Sequence, residues 1–144
     1  MGPVPRLLVS TLLAVALLVT SCGSEGNGNE DPSVPPSGAL GPVTPEAAAR
    51  TVLGLCDLRS ATDRAEAEAT FLDRSHETLH VIAAATEVRD RGAAADLLEA
   101  KQRVEAGLAD PDLPPGFAAD VEALIEATRA ALDAIGLDAL TCSN

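Results

Sequence analysis

From Thr44 onward the apolar residues of this chain recur every third or fourth position, and no segment alternates with period two. That spacing lines one side of a helix and cannot cover one face of a sheet, so it predicts an all-α domain. The last stretch is the clearest, with Phe117, Val121, Leu124, Thr128, Leu132 and Ile135 in line and a stop near Gly136. The first opens on Thr44-Pro45-Glu46, which supplies a capping hydroxyl, a proline at the first helical position and an acid in the first turn. It carries Ala48, Val52, Leu55 and Cys56 to about Ser60. Asp63 offers the next cap. A second helix then runs from about Arg64 to Arg91, with Phe71, Leu72, Leu79, Ile82 and Thr86 on one face and Gly92 as its terminator. The third runs from Ala93 to about Leu108 and aligns Leu97, Val104 and Leu108. Asp110–Gly116 holds Pro111, Pro114 and Pro115 and must be a loop. Short links favour antiparallel neighbours, so residues 45–144 are expected to form a small four-helix, largely antiparallel bundle.

The N-terminal region has a different organisation. Met1 to Arg6 carries one positive charge, and Leu7–Val19 is an apolar run interrupted only by Ser10 and Thr11. Such a run is too short to cross a hydrocarbon core of about 30 Å as a helix. A charged start, a short apolar core and small residues beyond it are the parts of a secretory signal peptide. The small residues are Val19-Thr20-Ser21-Cys22, and this pattern resembles the lipobox of bacterial lipoproteins. The resemblance implies a diacylglycerol on Cys22, removal of residues 1–21 and acylation of the new amino terminus. Two or three acyl chains hold a protein stably on a bilayer, where one does not. The implied location is the outer face of the cytoplasmic membrane, or an outer membrane in a two-membrane cell. An ordinary secreted protein with an incidental cysteine is the alternative. Residues 22–44 are dominated by Gly, Pro, Ser and Asn and are expected to form a disordered tether of about 25–30 Å reach. Heavy use of Ala and Arg beside a single lysine, Lys101, resembles the composition of high-GC actinobacteria.

Charge and composition exclude several function classes. The formal net charge is −12, with no Trp, no Tyr and two Phe. A nucleic-acid binder needs a basic face and stacking rings, so no nucleic-acid partner is expected. Acidic charge also disfavours a domain lying on anionic lipid through its own surface. With Cys22 assigned to lipid, Cys56 and Cys142 remain in an exported domain, where thiols oxidise. Their pairing would close almost the whole bundle, the alternative being two buried free thiols.

One motif points to metal chemistry. His76-Glu77-Thr78-Leu79-His80 is an HExxH sequence, with Glu99 after eighteen intervening residues, and it resembles the gluzincin metallopeptidases. The resemblance implies His76, His80 and Glu99 as zinc ligands and Glu77 as general base. Asp96-Leu97-Leu98-Glu99-Ala100 lacks the Asn-Glu context of those enzymes, and no strand is expected to present an edge to substrate. A looser reading takes Asp73, His76, His80 and Glu87 along one flank of the second helix at about 100° per residue, as ligands for zinc, copper or iron. A marginal core histidine beside a solvated acidic face is the simpler alternative.

No serine sits in a nucleophile elbow, and no glycine-rich phosphate loop follows a strand. The stretches Phe71–His80 and Leu97–Glu105 resemble small Ala-rich actinobacterial helical lipoproteins, which adds no activity. The expected protein is therefore a lipid-anchored, non-enzymatic binding module without a cofactor, its domain monomeric and its protein or small-molecule partner unspecified. A metal-binding lipoprotein is the second reading and a zinc peptidase the third.

Overall fold

Residues 41–142 are described by a computed structural model. The signal-peptide assignment (1–21), Cys22 and the tether as far as residue 40 lie outside the described residues. Val43 packs against the core, so the folded domain begins just before the expected boundary.

Helix α1 (Pro45–Arg59) starts where the sequence places it, with Thr44 Oγ1 accepting from the Ala47 amide at 3.2 Å. Helix α2 (64–87) starts after Asp63, whose carboxylate accepts from the Glu66 amide. It is α-helical over Arg64–Phe71, widens to a π-helix over Leu72–His76 and returns to α-helix over Glu77–Glu87. Helix α3 (Arg91–Ala109) is capped by Asp90, and α4 (Phe117–Ala134) follows the proline loop.

Two expected boundaries change. The second helix ends at Glu87, not Arg91, because the Arg89 and Asp90 amides both turn back to the Thr86 carbonyl. Asp90 then accepts from the Ala93 amide at 3.0 Å, which places Gly92 inside the first turn of α3 instead of ending α2. The expected stop near Gly136 holds: Gly136 has φ +77°, its amide meets the Asp133 carbonyl, and the Leu137 amide meets that of Leu132. These are the two bonds of a Schellman ending, in which glycine tolerates the left-handed residue.

Polar contacts between rods mark antiparallel neighbours. Arg64, at the start of α2, donates to the Leu108 and Asp110 carbonyls at the end of α3, satisfying groups a helix terminus leaves open. Arg59, ending α1, meets Glu122 near the start of α4 at 2.7 Å. The core lies between the rods and holds Val52, Leu55, Phe71, Leu79, Ile82, Leu97, Val104, Val121, Leu124 and Leu132. Leu72, expected on this face, is instead 55 % exposed, because the π turn has rotated it outward. Buried hydroxyls are satisfied on main-chain carbonyls: Thr51 on Ala47, Thr128 on Leu124, and Thr86 on Ala131 across the bundle. Cys56 of α1 is bonded to Cys142, which holds the tail after α4 against α1. None of the described helices is long and apolar enough to cross a membrane.

Candidate functional site

The polar cluster of most chemical interest lies where α2 faces α3. On α2, the buried Phe71 ring meets His76 edge-on at 5.6 Å, and His76 meets His80 one turn later at 5.1 Å, again edge-on. The facing helix contributes Lys101 and Glu105. Lys101 stands in the apolar stripe between Leu97 and Val104 and is 3 % exposed. Its Nζ donates to Glu105 Oε1 at 2.6 Å, and His76 Nε2 lies 3.0 Å from that same oxygen. A single carboxylate oxygen thus serves an ammonium from its own helix and an imidazole from the next. His80 is harder to protonate than a free imidazole, chiefly through desolvation, then through the charges of Lys101 and His76, with Glu105 opposing.

The π turn decides which of the expected metal ligands meet. A projection of about 100° per residue holds only for α-helix. Each residue of Leu72–His76 advances less than that, so Asp73 and His76 diverge instead of sharing a flank. Asp73 turns toward α1, where its carboxylate lies 3.3 Å from Arg50, both side chains largely exposed. Glu87 shares a groove with His80, bordered by Ala83, Ala84, Arg91 and Leu98. Of the expected set, His76 and His80 are in contact, Glu87 lies further along the His80 side, and Asp73 belongs to the opposite seam.

The gluzincin set is not assembled. Glu99 lies 2.8 Å from Arg103 and borders a groove with Ala123, Glu126 and Ala127 of α4, away from the histidines. Glu77 borders a different groove with Glu46, Arg50 and Arg74, on the α1 side. Among the described residues no three His, Cys, Asp or Glu side chains are arranged to hold a metal ion.

The remaining serine near the motif is structural. Ser75 is buried within the π turn, and its hydroxyl donates to the Thr51 carbonyl of α1 at 3.3 Å. Opposite it lies Gly54, where an added Cβ would come within 2.8 Å of both Ser75 Oγ and Arg74 Cβ. Arg74 pairs with Asp57 one turn along α1.

Sequence reasoning missed Lys101 and Glu105. The signal was present, since the only lysine interrupts the Leu97, Val104, Leu108 stripe and carries an acid four residues on. No family model matches the chain, and neither a curated protein nor a solved structure matches it.

Proposed function

We propose that this chain is an exported protein held at a membrane by lipid on Cys22, with the helical bundle acting as a binding module and not an enzyme. The observation that carries the reading is the Cys56–Cys142 bond. Of three cysteines, it joins the two in the bundle and leaves Cys22, at the end of the small-residue pattern after the apolar run. A disulfide fits an oxidising, extracytoplasmic compartment. The non-enzymatic part of the reading is supported by how the reactive side chains are engaged. Ser75 is committed to a carbonyl, Glu105 to Lys101 and His76, and Glu99 to Arg103. A hydrolase needs such groups converging on a shared substrate position.

Fatty-acid labelling of the full chain in a bacterial host tests the anchor. The expected result is a labelled protein in the membrane fraction, with label and membrane retention both lost in Cys22→Ser. Retention of either in that variant overturns the anchor. Peptide hydrolysis that survives purification and disappears in Glu77→Gln would overturn the non-enzymatic reading.

A further inference from the structure

We propose that the chain after α4 is a redox-released strap: the Cys56–Cys142 bond ties residues 137–142 over the α1–α4 seam, and reduction frees them while the four helices stay folded. The strap does not depend on the anchor at Cys22.

Its course follows from helix lengths. Arg59, ending α1, meets Glu122 near the start of α4, so α4 finishes where α1 begins. Cys56 lies in the last turn of α1, about 16 Å from Pro45 at a rise of about 1.5 Å per residue. The stretch from Leu137 to Cys142 spans at most about 18 Å when fully extended, so it has to run back along α1 nearly straight. Exposure alternates along it as in extended chain: Leu137 and Ala139 are half-buried against the core, Asp138 and Leu140 exposed. On α1, Ala49, Val52, Cys56 and Arg59 share one flank at helical spacing, and Arg59 turns that flank toward α4. The strap therefore lies over the seam between the two helices.

Little besides the disulfide holds it there. The Leu137 amide bonds to the Leu132 carbonyl, and among the described residues 138–142 make no main-chain hydrogen bond. Ordering this backbone costs more conformational entropy than the partial burial of one leucine and one alanine returns. The caps of the helices and the Arg59–Glu122 pair draw nothing from residues 138–142, so the bundle keeps its polar contacts when the tail leaves. Both cysteines are half-buried, within reach of a small thiolate. A dithiol balances the exchange: it gives up two electrons and two protons and closes to its own disulfide. The Cys56–Cys142 bond breaks, and each sulfur takes one electron and one proton to become a thiol. Release opens the seam to solvent along Ala49, Val52 and Cys56, a face that the oxidised chain covers with its own tail.

The test is dithiol titration of the full chain carrying Cys22→Ser, so that only two thiols can arise, read by nitrogen-15 relaxation of the backbone and by circular dichroism. In the oxidised chain the order parameters of residues 138–142 are expected near the rigid value of about 0.85, and after reduction below about 0.6. Helical dichroism should be retained, with thermal unfolding still cooperative at a lower temperature. Chemical-shift changes should be confined to the tail, to Ala49, Val52 and Cys56, and to the facing turns of α4. Cys142→Ser should reproduce the reduced state without any reductant. The proposal is overturned if the tail is equally ordered or equally mobile in both states, if the helices unfold with it, or if the bond yields to dithiol only in denaturant.

Discussion

Toward α1, helix α2 presents Ser75 and the stem of Arg74 to a glycine; toward α3 it presents His76 and His80 to a lysine and a glutamate. The first seam is close because Gly54 has no side chain, and its ion pairs, Arg50–Asp73 and Arg74–Asp57, sit at the surface. The second is spaced by a long side chain whose charge is carried inside and met there by Glu105. Both seams are served by one five-residue segment, since the π turn directs Asp73 and Ser75 one way and His76 the other. An interrupted helical ladder thus lets adjacent residues face different neighbours, and π turns often occur where side chains must be re-aimed. Steric fit governs the α1 seam, and electrostatics the α3 seam.

Substitutions at the two seams should therefore fail for different reasons. The largest effect is expected from Gly54→Leu, which forces a branched side chain where even a Cβ would clash with Arg74 and Ser75. It should lower unfolding free energy by about 3 kcal/mol, read from urea denaturation. A loss under about 1 kcal/mol would show that the seam can open and that close approach does not control it. Lys101→Ala is next, at about 2 kcal/mol, because it removes buried methylenes and leaves Glu105 with His76 alone. Lys101→Met should recover part of that loss in the same assay, separating stem from charge.

Acidification should act on the α3 seam through His80. His80 is protonated less readily in the folded chain than in the unfolded one, so between the two pKa values the unfolded state holds more protons. The stability linked to this difference is present above about pH 6.5 and is lost as pH falls below it. Melting temperature should drop over that range in the native chain and less steeply in His80→Gln. An identical slope in both would remove His80 from the account. Smallest of all is Asp73→Asn, expected to change stability by no more than about 0.5 kcal/mol, since its pair with Arg50 is exposed on both sides.

The rods themselves were legible in the sequence because their ends are local chemistry. Thr44 and Asp63 cap the helices the spacing predicts, and Gly136 ends the last. The three-and-four spacing of Phe117, Val121, Leu124 and Thr128 needed only one helix to be read, and all four are buried. The site was less legible, and the reason is geometric. A projection across residues 72–76 assumes a hydrogen-bond pattern that the chain abandons there, so errors begin at Leu72 and Asp73 and bear on any assembled ligand set. The contact between α1 and that segment involves Gly54, eighteen residues before Leu72, and no local rule links the two. Gly92 misled for a similar reason: glycine after a helix suggests a terminator, but Asp90 caps the next helix first. Lys101 was visible as an interruption of an apolar stripe and Glu105 as an acid four residues on, whereas the imidazole that meets Glu105 depends on which face of α2 the π turn delivers.

The bond between Cys56 and Cys142 makes residues 56–142 a covalent ring, from the last turn of α1 through the tail. The Asp110–Gly116 loop, the longest link between the described helices, lies inside it. A protease that cuts this loop would open the ring without dividing the molecule, and both fragments would migrate as one species until a reductant is added. Outside the ring are the last two residues, Ser143 and Asn144, and the chain before Cys56, which leads back to Cys22. A molecule nicked in its longest described loop would therefore keep all four helices attached to its N-terminal end.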